Sequence, residues 1–195
     1  IDNAERIPEV VSRAWRLALS GRPGPVVIGL PEDMLTSQIS VEPCQPLEVA
    51  EAGVDLSQAE ALSRILNEAE RPMILIGGGG WREVGKSVLQ KFAELHSFPV
   101  SAIFRYHDLI DNNSPVYVGD AGVGMAVHLA EMIKNSDVIL AVNARLGEAA
   151  TQSWSLLEVP NPRQKLIHVH ASDQEIGKIY QPHLSFHANP NQFAQ

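Results

Sequence analysis

Residues 71–82 constrain this chain more than any other stretch: Arg-Pro-Met-Ile-Leu-Ile, four consecutive glycines, then Trp81 and Arg82. Met73, Ile74, Leu75 and Ile76 are apolar without alternation, the pattern of a strand buried on both faces in a parallel sheet covered by helices. Gly77, Gly78, Gly79 and Gly80 carry no Cβ, so the backbone there can turn sharply, take positive φ and admit another backbone or a ligand at close range. Beyond them Val84, Val88, Phe92 and Leu95 recur at helical spacing and predict one buried helix face. A strand, glycine turn and helix in that order aim backbone N–H groups at the carboxyl edge of a sheet, where an anion or nucleotide can sit. Gly77 and Gly79 open a dinucleotide fingerprint, but Arg82 stands where its third glycine belongs, so the match is partial. The same turn also serves a chain that only packs a strand closely onto a helix.

The rest of the chain repeats this alternation. An amphipathic helix is expected over residues 2–18, with Ile7, Val10, Val11, Ala14 and Ala18 on one face and Asp2 with Glu5 as a capping box. Residues 26–30 read as a short buried strand closed by Pro31. Residues 36–56, with Pro43 and Pro46 and no helical period, read as an extended connection. Ser57 with Glu60 predicts the cap of a helix whose face is Leu62, Ile65, Leu66 and Ala69. Further strands are expected at 98–103, 137–142, 165–170 and 184–187, with a helix at 83–96. Gly119, Gly122 and Gly124 form a second glycine cluster, read as another ligand-facing turn ahead of a helix face at Val123, Val127, Ala130 and Ile133. Such alternation predicts a three-layer α/β sandwich with a mainly parallel sheet and right-handed crossovers.

Composition excludes several classes. A net charge of −8 over 195 residues, with no basic run, argues against nucleic acid or an anionic membrane as partner. No apolar run approaches transmembrane length. A single cysteine, Cys44, cannot close an internal disulfide, and a chain without a signal-peptide pattern reads as cytoplasmic. No Gly-x-Ser-x-Gly elbow supports a hydrolase. The sequence opens at Ile1 and ends at Gln195 in what reads as a new helix, so a piece of a longer protein is expected.

Four stretches carry a resemblance: Gly-Arg-Pro-Gly-Pro-Val-Val-Ile-x-Leu-Pro-Glu-Asp at 21–33, the glycine stretch at 71–80, Arg-Leu-Gly-Glu at 145–148, and Ile-His-Val-His-Ala-Ser-Asp-Gln-Glu-Ile-Gly-Lys at 167–178. Together they resemble the acetolactate-synthase-like family of thiamine-diphosphate-dependent enzymes. The resemblance implies that residues 1–35 are the C-terminal remnant of a preceding pyrimidine-binding domain, 36–56 a linker, and 57–195 the central domain. That domain is expected to be a Rossmann-like, six-stranded sheet of the DHS-like NAD/FAD-binding type. In such enzymes the thiamine diphosphate and magnesium sit in flanking pyrimidine- and diphosphate-binding domains. Gly119-Asp-Ala-Gly122 mimics half of the diphosphate motif, but no asparagine pair follows it. The parent is therefore expected to be a lyase or transferase acting on 2-oxo acids, a decarboxylase or carboligase. This piece is expected to be inactive, with no catalytic or metal-binding residue, and to scaffold a homo-oligomer.

Some relatives bind FAD or ADP across this domain. The matching positions here are Gly77 to Gly80, Arg145 and His170, the candidate nucleotide crevice. Arg145 offers a planar, permanently charged fork suited to phosphate, and equally to a salt bridge. Where relatives carry acidic residues for ribose hydroxyls, this chain has His170 and Ser172. Trp81 and Trp154 could stack on adenine or pack at contacts between domains or subunits. His168 and His170 share a strand face and, with His183 and His187, offer a zinc reading, against which imidazoles at strand ends commonly bond backbone. A free-standing FAD, NAD or adenine-nucleotide binding protein is the competing function.

Overall fold

The computed structural model describes residues 1–195, which divide into two compact units, residues 1–51 and 52–195. In the first unit a 3₁₀ turn at Ala4–Arg6 leads into α1 (Ile7–Leu19), and α2 (Glu32–Thr36) follows. The cap is Asn3, whose Oδ1 accepts from the Glu5 N–H at 2.9 Å, in place of the Asp2 capping box expected. The expected strand at 26–30 is absent: no strand forms there, and Val27 is 93% exposed. A strand exists only through a neighbour's N–H and C=O groups; here the Ile1 amino group donates to the Gly29 carbonyl at 2.7 Å, which makes no ladder. Trp15, 68% exposed, lies on an α1 that buries none of its residues.

The second unit is the sheet. After α3 (Leu56–Glu68) come β1 (Pro72–Ile76), α4 (Glu83–His96), β2 (Val100–Ile103), β3 (Tyr117–Ala121), α5 (Val127–Asn135), β4 (Val138–Val142), β5 (Lys165–His170), β6 (Leu184–His187) and α6 (Pro190–Phe193). The six strands are all parallel, in the order β3-β2-β1-β4-β5-β6. The predicted three-layer α/β sandwich is therefore present, with a wholly parallel sheet.

Pleating splits β1 between two cores. Met73 and Leu75 join Ile139 and Ala141 under Leu129, Ala130 and Ile133 of α5. Ile74 and Ile76 join Leu140 and Val142 under Leu89 and Ala93 of α4, with α3 and α6 residues packed alongside. Each such side chain removed from water contributes about 1.5–3 kcal/mol, which is why this apolar run holds the centre of the sheet. The start of β1 is anchored by Asp137, whose carboxylate accepts from the Glu70 and Arg71 N–H groups at 2.7 and 2.9 Å.

Three local readings are corrected. The cap of α3 is Asp55, in a capping box with Gln58, because Asp55 stands one residue before the first helical turn and Ser57 already lies inside it. The buried face of α4 is Gly85, Leu89 and Ala93, while Val84 and Leu95 are 63% and 80% exposed. Small residues let the helix lie close to the sheet and rotate the larger ones outward. The second glycine cluster begins inside β3, which carries Gly119, so its first half is strand and not turn. No helix is long and apolar enough to cross a membrane.

Candidate functional site

Strand order fixes where a ligand would sit. From β1 the chain runs through α4 to β2 and β3 on one side; from β3 it returns through α5 to β4 on the other. The β1/β4 boundary is thus the switch point, and the crevice beyond its carboxyl ends is the favoured site in open α/β sheets. Gly77 to Gly80 leave the end of β1, Arg145 lies just past β4, and His170 ends β5. These three strands are adjacent, so all six predicted residues lie along one rim.

The protein itself occupies much of that rim. A Cβ on Gly77 would come 2.3 Å from Ile103 Cγ1, and one on Gly78 would come 2.4 Å from the Asn143 carbonyl oxygen. Gly78 and Gly80 hold φ of 69° and 82°, which glycine adopts without steric cost. Three carbonyls of the turn accept an inward bond: Gly77 from Trp81 Nε1 at 2.8 Å, Gly79 from Asn143 Nδ2 at 2.9 Å, Gly80 from Asn191 Nδ2 at 2.8 Å. Asn191 Oδ1 also accepts from the Arg82 N–H at 2.7 Å. Gly79 differs from its neighbours: nothing lies within 4 Å of an added Cβ.

Asn143 joins the three strand ends. Its backbone is left-handed, φ 52°, a conformation asparagine tolerates better than most residues. Its Nδ2 reaches the β1 turn, and its Oδ1 accepts from the Ala171 N–H beyond β5 at 3.4 Å. Next to it, the Ala144 carbonyl accepts from His168 Nε2 at 3.0 Å, which places the proton on that nitrogen. Burial holds the His168 pKa down at about 4, outweighing the opposing bond to Ala144, so the ring is neutral at ordinary pH.

Arg145 makes an ion pair through Nε with Glu175 Oε2 at 3.6 Å. Lys178 Nζ lies 3.3 Å from the other oxygen, Oε1. His170 Nδ1 accepts from the Ser172 N–H at 2.9 Å, a shorter and mutually exclusive alternative to its 3.1 Å contact with the Ser172 carbonyl. His187 Nε2 contacts the Ala171 carbonyl at 3.2 Å. Three of the four imidazoles of the zinc reading, His168, His170 and His187, are thus engaged with backbone. Trp81 is tied down by its own N–H and packs against the α4-side core. Trp154 is partly exposed at the end of three consecutive left-handed residues, Gln152, Ser153 and Trp154. Asp120, in β3, has Oδ2 only 2.9 Å from where a Gly122 Cβ would stand and Oδ1 enclosed without a hydrogen-bond partner.

Asn143, Asn191 and Glu175 were not among the candidate crevice residues. Asn143 had a signal in its sequence, an asparagine immediately after a buried strand, where left-handed backbone is common. Asn191 had none, because it acts from 111 residues beyond Gly80.

Strand order and rim together define a doubly wound, Rossmann-like domain with a glycine turn at its switch point. Comparison with known proteins makes this specific: residues 59–195 match the thiamine pyrophosphate enzyme central domain, and the chain belongs to that family. It is 28% identical over 192 residues to the acetolactate synthase isozyme 1 large subunit of Escherichia coli (strain K12), a match covering 97% of this chain and 33% of that protein. It is 30% identical to the acetolactate synthase large subunit of Parasynechococcus marenigrum (strain WH8102), over 87% of this chain and 28% of the relative. Glyoxylate carboligase of Escherichia coli O157:H7 is likewise 30% identical, over 94% of this chain and 31% of the relative. The chain spans roughly a third of the length of these relatives.

Proposed function

We propose that this chain is the non-catalytic central part of a thiamine-diphosphate-dependent enzyme, a decarboxylase or acetolactate-synthase-like carboligase acting on 2-oxo acids. Residues 1–35 close a preceding pyrimidine-binding domain, 36–56 link it, and 57–195 space the flanking domains, which hold thiamine diphosphate and magnesium. The parent works as a cytoplasmic homo-oligomer. The rim is a vestigial adenine-nucleotide crevice.

One observation carries this reading: the crevice is filled from within the chain, with Trp81, Asn143 and Asn191 bonded to carbonyls of the turn and Glu175 paired with Arg145. Asp120 supports it, since a magnesium-bound diphosphate needs several converging oxygens and this carboxylate is folded against Gly122 with one oxygen enclosed. The exposed Trp15 and Val27 support the remnant, because apolar residues of that kind are ordinarily covered by the rest of a domain.

The test is to purify the chain and assay it with pyruvate, thiamine diphosphate and magnesium, then titrate it with FAD and ADP by calorimetry. No turnover and no stoichiometric flavin are expected; turnover by the chain alone refutes the proposal. A second reading, a free-standing FAD, NAD or adenine-nucleotide binding protein, is favoured by the glycine turn at the switch point. Tight stoichiometric nucleotide in the same titration would select it.

A further inference from the structure

α6 is only four residues long, Pro190–Phe193, and a helix of that length does not persist on its own. Its surroundings hold it. Phe193 meets Phe186 of β6 edge to face, with ring centroids 5.5 Å apart, and both Phe193 and Ala194 pack on the α4-side core. The Ala188 N–H donates to the His170 carbonyl at 3.2 Å, and the Asn189 N–H to the carbonyl of Ala52, where the second unit begins, at 2.8 Å. At the centre of the segment Asn191 is 1% exposed and its amide is engaged throughout. Nδ2 donates to the Gly80 carbonyl and to Asn189 Oδ1, both at 2.8 Å, while Oδ1 accepts from the Arg82 N–H at 2.7 Å. Arg82 stands at the start of α4 and provides no side-chain cap of its own, so this tie reaches it from 109 positions away.

Glycine has the widest backbone freedom of any residue, so the shape of Gly77 to Gly80 depends on what holds their carbonyls. Trp81 and Asn143 hold two of them from beside the turn; Asn191 holds the third from a segment that is stable only while docked. Segments of that kind open as units ahead of global unfolding. We propose that residues 188–194 are a latch on the glycine turn. Docked, they fix Gly80 and Arg82 through Asn191; released together, they leave the turn at the switch point free to change shape. The coupling runs both ways: whatever favours a different turn favours release of α6, and whatever draws α6 away alters the turn. Gly85 belongs to the same device, since a Cβ there would stand 2.5 Å from Asn191 Oδ1 and hold the latch off.

The test is native-state hydrogen exchange, followed residue by residue by nuclear magnetic resonance, on the whole chain as wild type, Phe193→Ala and Asn191→Ala. In wild type the Arg82 and Ala194 N–H groups should share one opening free energy, lower than that of the Ile74 N–H in β1. Arg82 exchanging no faster than Ile74 overturns the proposal. Phe193→Ala removes none of the Asn191 bonds, yet should speed Arg82 and Ala194 by the same factor, roughly tenfold, equivalent to about 1.4 kcal/mol. The Gln58 N–H, held by Asp55 at the start of α3, should not change. Arg82 unmoved in Phe193→Ala, or Asn191→Ala speeding Arg82 while Ala194 exchanges as in wild type, would make Asn191 a local hydrogen bond and no latch. Should Phe193→Ala fail to fold, Phe193→Leu takes its place, with a smaller acceleration again shared by both amides. Acceleration at Ala194 alone would overturn the idea there too.

Discussion

Replacing Gly78 and Gly79 separately by alanine separates the structural from the ligand-facing role of the glycine turn. At Gly78 an alanine would have to hold φ near 69°, which costs about 1–2 kcal/mol for an L-residue with a Cβ. Its Cβ would also lie 2.4 Å from both the carbonyl oxygen and Nδ2 of Asn143. Asn143 cannot withdraw freely, since it is bonded to the Gly79 carbonyl and the Ala171 N–H and is itself left-handed. Overpacking of this kind costs about 1–3 kcal/mol, so Gly78→Ala should lose about 3 kcal/mol in all. At Gly79 neither cost applies: φ is not left-handed and nothing lies within 4 Å. Gly79→Ala should be neutral or stabilise by up to about 1 kcal/mol, through the reduced freedom of the unfolded chain. Urea unfolding followed by far-ultraviolet circular dichroism reads both. Equal losses at the two positions would refute the account, because they would show that the run as a whole, and not its fit to Asn143, sets the requirement.

Other perturbations test the remaining ties. Asn191→Ala removes the partner of both the Arg82 N–H and the Gly80 carbonyl at a buried site, and should cost about 2–4 kcal/mol in the same urea assay. His168 has a folded pKa near 4 against about 6.5 unfolded, so between those values the unfolded chain takes up a proton that the folded chain refuses. Stability should therefore fall as pH drops through that window, by up to about 3 kcal/mol; His168→Gln should flatten the slope, and an unchanged slope would contradict the assignment. Asp137 acts in the same sense, but over the carboxylate range. Desolvation pushes its pKa up, but the N–H groups of Glu70 and Arg71 outweigh this and hold it low, so its contribution is present above the ordinary carboxylate range and is lost as pH falls below it. Asp137→Ala should cost about 1 kcal/mol at neutral pH, read from the thermal midpoint, and nothing in strong acid.

The sequence was most informative where one pattern decides the outcome alone. The helix at Glu83–His96 and the strands Lys165–His170 and Leu184–His187 fall where periodicity placed them, since a buried run bounded by turn residues admits few alternatives. It was least informative where a partner decides. Residues 26–30 have strand composition yet form no ladder. Tyr117–Ala121, with a glycine at its centre, reads as turn and becomes an edge strand, because β2 supplies the pairing that its own composition does not. On α4 the helical period was correct and the face only in part: Phe92 packs against the core, but Val84 and Leu95 are exposed, because the small residues Gly85 and Ala93 take the closest approach to the sheet and to α6, where a Cβ on Gly85 would already lie 2.5 Å from Asn191 Oδ1.

The same distinction governs the rim. A glycine run states that the backbone must turn where a Cβ cannot fit; it does not state what occupies the space. At Gly77 and Gly78 the occupants are Ile103 and Asn143, so those two positions are explained by packing. Gly79 is not, and with Arg145 it is where the rim still has the form of a ligand site. A nucleotide entering there would have to compete with bonds the protein already makes: Asn143 to the Gly79 carbonyl and Glu175 to Arg145. Of these the ion pair is the weaker, being 3.6 Å long with its Arg145 side half exposed and screened by solvent, whereas Asn143 is buried and its bonds tie three strand ends. Asn143→Ala should therefore loosen the turn and cost stability without admitting ADP; an Asn143→Ala protein that folds normally and binds ADP better than wild type would contradict this ordering.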